Sequence, residues 1–275
     1  MKNKEIIKIE VTEPHYYLDA DVTYAQADAW FGHVTRDLRM DIVYPQTEGQ
    51  FPCIVWICGG AWTQMSKCAH MPYLTDLARR GFVVVSVEYR LGHEAPFPGA
   101  VIDIKGAIRY LRANAKRYSI NPEKFGVMGE SAGGYLAAMI ALSSNKEFEA
   151  GQYLDFSSAV QAACPWYAPC DLQKMLPHST FRPMFFNGDT NDEQYGKYVN
   201  LISYITPSAP PFLILHGSDD TTVPLAQGEL FYDALTAQDI DTRLIVLEGE
   251  GHAGAQFFQR PLWDIIAEFF KDKLK

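Results

Sequence analysis

Short apolar runs alternate with segments of helical period along most of the chain. The runs are rich in β-branched residues and too short for buried helices, so they predict strands covered on both faces. These strands are expected at residues 53–58, 82–89, 125–128, 159–163, 212–216 and 244–247. Helices are expected between most of them, at residues 69–80, 101–118 and 131–142. Alternation of this kind predicts a mostly parallel central sheet with helices on both faces.

The two ends of the chain have different patterns. Residues 6–11 and 38–44 alternate polar with apolar positions and have no helix between them, which predicts antiparallel strands at the start of the same sheet. Residues 255–274 carry large apolar side chains at helical spacing, which predicts a last helix packed on the core. Residues 1–275 are therefore expected to form a single α/β domain.

Residues 172–211 interrupt this rhythm with several prolines and no clean period of either kind. Insertions of this length commonly serve a site or are disordered. The interval is rich in large apolar side chains, namely Met175, Phe181, Met184, Phe185, Phe186 and Tyr195. These side chains predict a lid or pocket wall. The alternative is a long loop that packs on the domain without contacting substrate.

Composition narrows the class of protein. Hydrophobic residues make up 48% of the 275 positions, enough to bury a core, and the formal net charge of -9 disfavours a nucleic-acid partner. The densest basic stretch, Arg109, Arg112, Lys116 and Arg117, has the spacing of a solvated helix face.

Two further features bear on compartment and metal content. The first ten residues contain no apolar signal core, and no membrane segment is expected, so a cytoplasmic location is predicted. Five cysteines, at positions 53, 58, 68, 164 and 170, are odd in number and lack CxxC spacing. They predict buried free thiols rather than disulfides or a zinc site.

A candidate nucleophile lies in the segment Gly129-Glu130-Ser131-Ala132-Gly133. It follows a predicted strand and opens a predicted helix, which is the context of a nucleophile elbow. Small residues around Ser131 allow strand and helix to approach closely. The alternative is an ordinary glycine-rich turn that binds an anion at the helix N-terminus.

A serine nucleophile needs a base and an orienting acid. Of the histidines that follow Ser131, His252 lies in a glycine-flanked loop after the last strand, whereas His178 lies in the insertion and His216 ends a strand. Asp220 follows a buried strand and is the candidate acid, with its neighbour Asp219 interpreted as a surface carboxylate. The chain order serine, acid, histidine is that of α/β-hydrolases.

Attack on a carbonyl also needs donors for the oxyanion. The small residues of Cys58-Gly59-Gly60-Ala61-Trp62 follow a predicted strand and allow backbone N–H groups to point into a site. Gly60, Ala61 and Ala132 are the candidate donors, and a glycine turn without a catalytic part is the alternative.

Taken together, these motifs resemble those of α/β-hydrolase esterases. The resemblance rests on the motifs at 58–62, 129–134, 216–220 and 251–252, together with Tyr89-Arg90-Leu91 and Phe97-Pro98. The chain resembles the hormone-sensitive-lipase-like group and, more closely, the acetyl-xylan and feruloyl esterase-like carbohydrate esterases. Cys58 stands where the family usually has histidine, and Glu130 where the lipase-like group usually has aspartate. Neither departure is expected to touch the three candidate residues.

The hypothesis that follows is a serine carboxylester hydrolase that needs no metal or organic cofactor. Short acyl groups are favoured because no long lid helix precedes the domain, and the resemblance implies acetylated sugars as substrates. Trp62, Trp166 and Tyr167 follow or end predicted strands and are candidates for a substrate pocket, although core packing explains them equally well.

Three alternatives stay open. An arylformamidase or a serine peptidase would use the same three residues. A ligand-binding module on this fold would be non-catalytic. A scaffold or homo-oligomer would assemble through the aromatic N-terminal stretch of Tyr16, Tyr17, Tyr24, Trp30 and Phe31.

Overall fold

An eight-stranded sheet organises the part of the chain that the computed structural model describes, which is residues 4–30, 32–143, 147–175, 196 and 199–275. Its strands are β1 (His15–Ala29), β2 (Val34–Gln46), β3 (Phe51–Ile57), β4 (Val83–Val87), β5 (Ile120–Glu130), β6 (Ala162–Trp166), β7 (Phe212–Gly217) and β8 (Thr242–Leu247). The spatial order is β1-β2-β4-β3-β5-β6-β7-β8. The β1–β2 and β2–β4 pairs are antiparallel and the others parallel, which confirms the predicted α/β sheet.

Helices cover both faces of this sheet. They are α1 (Met71–Arg79), α2 (Gly99–Ala113), α3 (Ala132–Leu142), α4 (Leu172–Met175), α5 (Leu225–Thr236) and α6 (Arg260–Lys273). Apolar side chains of α2, α3 and α5 form one core with one face of the sheet, and those of α1 and α6 form a second core with the other. Every residue of α3 is buried, so this helix is held between the sheet and its neighbours. No described helix is both long and apolar enough to cross a bilayer.

The five strands β3, β5, β6, β7 and β8 are neighbours in the sheet and parallel. Their carboxyl ends therefore lie along one edge. Parallel α/β sheets collect their functional side chains at this edge because the loops that follow the strands converge there.

The expected strand at residues 6–11 is wrong. Those residues are not in a strand, and Ile6, Ile7, Ile9 and Val11 are all exposed. The first strand is β1, which pairs with β2 alone and lies at the edge of the sheet. Its pairing register shifts at two places, so its sequence lacks the simple alternation that identifies a half-buried strand.

The prediction that the four basic residues between positions 109 and 117 form a solvated helix face is also wrong in part. Lys116 and Arg117 are exposed, but Arg109 and Arg112 are buried. Their guanidinium groups donate to backbone carbonyls of the segment 150–159, and Arg109 also pairs with Glu149. A long basic side chain can be buried in this way when every donor finds an acceptor.

Other boundaries differ from expectation. Strand β6 extends to Trp166 although Pro165 lies within it, and its pairs with β7 are formed by Ala163 and Trp166 on either side of that proline. The last segment divides into a 3₁₀ turn at Ala255–Phe258 and helix α6. Four cysteines are buried and free as predicted, but Cys68 is exposed. Most of the predicted lid lies outside the described residues.

Candidate active site

Loops from four parallel strands bring the predicted residues together. Gly60 and Ala61 follow β3, Ser131 follows β5, Asp220 follows β7 and His252 follows β8. The loops after β7 and β8 are also joined directly, because the amide of Asp219 donates to the carbonyl of Glu250 at 2.9 Å. The candidate site is therefore built on the carboxyl edge of the sheet.

Ser131 has the backbone conformation of a sharp strand-to-helix turn, with φ 52° and ψ -120°. A non-glycine residue in this region is strained and needs support from its surroundings. The amide of Ser131 donates to the carbonyl of Trp166 at 2.9 Å, which anchors the turn to β6. At Gly133, a Cβ atom would overlap with the carbonyl oxygen of Ile57, so only glycine lets α3 approach β3 this closely.

His252 makes hydrogen-bond contacts with both other candidate residues. Its Nε2 lies 3.0 Å from Ser131 Oγ, and its Nδ1 lies 2.6 Å from Asp220 Oδ2. A proton on Nδ1 donates to the carboxylate and leaves the Nε2 lone pair to accept from the hydroxyl. This tautomer makes His252 a base directed at Ser131.

Asp220 is buried and held as an anion. Burial alone raises the pKa of its carboxyl, but hydrogen bonds from His252 and from the amides of Val223 and Thr222 outweigh that effect and leave the pKa below its ordinary value. Those amides donate to Oδ1 at 2.8 and 2.9 Å, so Oδ2 is left for the imidazole. Asp219 is exposed and accepts from Ser218, as expected of a surface carboxylate.

Of the other two candidate histidines, the structure describes His216 alone, and it does not contact Ser131. His216 is fully buried, and burial lowers its pKa, so the ring is neutral. Its Nε2–H donates to the carbonyl of Val223 at 2.8 Å, which supports the loop that carries Asp220. His178 lies outside the described residues.

The loop after β3 offers backbone donors near the nucleophile. Gly60 has φ 125° and Ala61 has φ 53°, so the chain turns sharply there. Within the described part of the chain, the N–H groups of Gly60 and Ala61 have no acceptor. Ala132 is the first residue of α3, where an N–H lacks an acceptor within the helix. The carbonyl of Cys58 is fixed by the hydroxyl of Tyr89 at 2.8 Å.

A carboxylate outside the predicted set of site residues lies directly behind the nucleophile. Glu130 accepts from His70 Nε2 at 2.8 Å and from the Tyr167 hydroxyl at 2.7 Å, and Cys58 Sγ lies 3.7 Å from it. Burial alone raises the pKa of Glu130, but hydrogen bonds from His70, Tyr167 and the Gly59 amide leave it lowered. No spacing in the sequence indicates that these positions meet.

This cluster connects to the candidate histidine through Tyr167, whose ring packs edge-on against His252 with centroids 4.7 Å apart. The two departures from the family pattern, Cys58 and Glu130, contact each other, and Glu130 reaches His252 through one tyrosine. Within the described residues neither side chain hydrogen-bonds to Ser131, Asp220 or His252, and the link to His252 runs through Tyr167.

The three candidate pocket residues are all buried. Trp166 packs against Trp56 and Trp263 in the core between the sheet, α1 and α6, and Trp62 packs edge-on against Tyr135 of α3. Core packing accounts for Trp166. The ring of Tyr167 lies against His252, so this side chain directly contacts the candidate base.

This arrangement has the parts needed for acyl transfer. The Ser131 hydroxyl touches an imidazole nitrogen, an anionic carboxylate orients that imidazole, and the adjacent loop carries N–H groups without an acceptor among the described residues. The chemistry it can perform is attack of the hydroxyl on a carbonyl carbon, with the proton taken by the imidazole.

Comparison with known proteins agrees with this chemistry. Residues 40–235 match the BD-FAE family model. The esterase LipQ of Mycobacterium tuberculosis is 33% identical over 195 residues, which are 67% of this chain and 45% of LipQ. The probable carboxylic ester hydrolase LipM of the same organism is 30% identical over 80% of this chain and 52% of LipM. The chain thus spans about half the length of these curated relatives.

A solved structure also shares most of the fold. A truncated form of a carbohydrate esterase from gut microbiota superposes with a TM-score of 0.84 at 27% identity, covering 97% of this chain and 99% of that one. The propionate-bound esterase 2 of Thermogutta terrifontis gives 0.75 at 25% identity, covering 95% and 94%. Because the family match spans well over half of its residues, the chain belongs to the BD-FAE family, with the α/β-hydrolase fold.

Proposed function

We propose that this protein is a serine carboxylic ester hydrolase in which Ser131 is the nucleophile, His252 the general base and Asp220 the orienting acid. The observation that carries the proposal is the continuous contact from Asp220 through His252 to Ser131, at 2.6 and 3.0 Å. Residues 121 and 32 positions apart in sequence meet there in hydrogen-bond geometry.

The reaction proceeds in two halves. His252 Nε2 takes the Ser131 proton as Oγ bonds to the ester carbonyl carbon, and the imidazolium then protonates the alcohol oxygen as its bond to that carbon breaks. Water attacks the acyl-enzyme with His252 again acting as base, which releases the acid and restores Ser131. The N–H groups of Gly60, Ala61 and Ala132 stabilise the oxyanion in both halves.

Removal of the nucleophile tests this assignment. Ser131→Ala is expected to lower kcat on p-nitrophenyl acetate by about 10⁶-fold, because the acyl-enzyme cannot form. Thermal unfolding of the variant checks that the fold is intact. A folded Ser131→Ala protein with most of its activity would overturn the mechanism.

The substrates we propose are short acyl esters, with acetylated carbohydrates as the leading class. The motif resemblance supports this, and two of the similar solved proteins are named as a carbohydrate esterase and as an esterase bound to propionate. A series from acetyl to octanoyl on one leaving group is expected to show highest kcat/KM at the short end. A maximum at octanoyl would contradict the short-acyl proposal.

Amide substrates remain the second candidate, since esters and amides share one tetrahedral intermediate. A panel of acetylated sugars, aryl formamides and proline-containing peptides separates the classes, with turnover expected on the sugars.

We also propose that residues 172–211 form a wall of the acyl pocket. Its described part is joined to the segment after β6, because the amide of Leu201 donates to the carbonyl of Cys170.

A further inference from the structure

The cluster behind the nucleophile combines three different metal-ligand chemistries. Cys58 Sγ, His70 Nε2 and a carboxylate oxygen of Glu130 all lie within 4.8 Å of one another. They come from three separate elements: the loop after β3, the residue before α1 and the end of β5. Thiolate, imidazole and carboxylate together suit borderline and soft divalent ions, whereas Mg²⁺ and Ca²⁺ prefer cages of oxygen atoms.

The spacing of these atoms fits tetrahedral coordination. Zinc bond lengths of about 2.3 Å to sulfur and about 2.1 Å to oxygen place the two ligand atoms about 3.6 Å apart at the tetrahedral angle. Cys58 Sγ and Glu130 Oε1 are 3.7 Å apart. The His70 Nε2 to Glu130 Oε1 distance is 2.8 Å, so it must open by about half an ångström when a metal replaces the hydrogen between them.

The surroundings orient two of the ligands. The Tyr167 hydroxyl donates to Glu130 Oε2, which leaves Oε1 directed at His70 and Cys58. The His70 ring is stacked on Phe258, with centroids 4.9 Å apart. Supporting contacts of this kind fix ligand orientation in metal sites. The His70 and Glu130 side chains keep 18% and 10% of their surface exposed, so an ion can enter from solvent.

We infer that Cys58, His70 and Glu130 form a binding site for a divalent ion of the Zn²⁺ and Cd²⁺ type, and that the bound ion inhibits the enzyme. On binding, the sulfur–metal bond replaces the S–H bond and the thiol proton goes to solvent. The His70 proton moves from Nε2 to Nδ1 by exchange with water, so that Nε2 can bind the metal. No oxidant or reductant takes part.

Inhibition follows from the position of the ligands in the chain. Cys58 directly precedes the loop of Gly59, Gly60 and Ala61, and Glu130 directly precedes Ser131. Drawing these side chains onto an ion also displaces the Gly59 amide from Glu130 Oε1, to which it now donates at 3.4 Å. Small displacements of oxyanion donors lower the rate of the chemical step. This consequence rests on the proposed function, whereas binding of the ion does not.

A titration of the intact protein with Cd²⁺ tests the site, since a thiolate bound to Cd²⁺ has an ultraviolet charge-transfer band. The chain offers a matched control in Cys68, which is exposed and lies outside the cluster. We expect the band to saturate at one equivalent in the wild type and in Cys68→Ser. In Cys58→Ser the band is expected to vanish and Cd²⁺ affinity to fall at least tenfold.

A second variant covers the case in which Cys58→Ser does not fold. His70→Gln keeps a donor to Glu130 but removes the imidazole, and it is expected to weaken Cd²⁺ binding at least tenfold while the band survives at saturation. Absence of the band in the wild type, its loss in Cys68→Ser, or unchanged affinity in the folded ligand variants would overturn the site.

Inhibition is measured separately, with Zn²⁺ and p-nitrophenyl acetate. We expect reversible loss of kcat that a chelator restores in the wild type and in Cys68→Ser. Inhibition of equal potency in folded Cys58→Ser or His70→Gln would place the inhibitory ion on His252 and Asp220 instead. The Ser131→Ala protein must still give the Cd²⁺ band, so failure of the esterase proposal and failure of the metal site are distinguishable.

Discussion

Gly60 has a conformation that shapes the loop of candidate donors. Its φ of 125° is unfavourable for any residue with a side chain, and an added Cβ would overlap with the carbonyl of Gln64. Gly60→Ala is therefore expected to displace the N–H groups of Gly60 and Ala61 and to lower kcat on a short ester by roughly 10² to 10³-fold.

Gly81 is the matched control for that variant. It also has a positive φ, of 103°, but nothing lies within 4 Å of an added Cβ, and it follows α1 rather than the site. Gly81→Ala is expected to lower stability and leave kcat unchanged. If Gly60→Ala folds and keeps the wild-type kcat, the loop does not bind the oxyanion.

The ionisation of Asp220 has a consequence for stability. Its pKa is lower in the folded protein than in the unfolded chain, where an Asp titrates near pH 3.9. The stabilisation is therefore fully present above that pH and is lost as the pH falls through the folded value. Among the described residues, the titratable side chains of His252, His216 and Tyr167 lie near the carboxyl group.

Urea unfolding of the wild type and of Asp220→Asn across a pH series measures the stabilisation that depends on the charge of Asp220. The difference in free energy of unfolding between the two proteins is expected to be constant near neutral pH and to shrink in acid. A difference that stays constant, or that grows on acidification, would show that Asp220 does not gain its charge-dependent stability from the folded structure.

At the scale of single elements, α2 is joined to the segment 149–159 by buried guanidinium groups. Arg112 donates to the carbonyls of Pro122, Ser157 and Ala159, and each acceptor would lose this donor if the side chain were apolar. Arg112→Met is expected to lower the free energy of unfolding by about 1–3 kcal/mol. Lys116→Met, at an exposed position after the same helix, is expected to change it by less than about 0.5 kcal/mol. Equal effects would contradict the role given to Arg112.

Elements that follow one strong local rule could be predicted from the sequence. Strands β3, β4 and β7 are apolar runs buried on both faces, and α3 follows a glycine-rich turn, so each has a clear pattern. The edge strand β1 and the buried arginines of α2 could not be predicted. Their environments depend on partners distant in sequence: β2 for the strand and the segment 149–159 for the helix.

The same distinction applies to the candidate site. Ser131, Asp220 and His252 could be proposed because each lies in a short motif after a strand, and one topological rule brings those loops together. His70 and Tyr167 have no such motif. Their hydrogen bonds to Glu130 depend on the order of neighbouring strands and on the packing of α1. Neither feature can be predicted from the local sequence pattern.

At the scale of the whole molecule, the aromatic N-terminal stretch is largely part of the sheet. Tyr24 is buried and donates to the carbonyl of Glu88, and Phe31 lies outside the described residues. Deletion of residues 1–13, which precede β1, is expected to leave Tm and the mass in solution unchanged. Because this deletion keeps all five aromatic residues of the stretch, a drop in oligomeric mass would instead place a contact between copies in residues 1–13.

The central claim is that one hydroxyl of the molecule, that of Ser131, is activated by His252 and Asp220. Mass spectrometry of the protein after reaction with a fluorophosphonate tests it most directly. One adduct per chain on the peptide that contains Ser131, lost in Ser131→Ala and strongly slowed in His252→Ala, is the predicted result. An unlabelled wild-type protein, or an adduct on a different residue, would contradict the account.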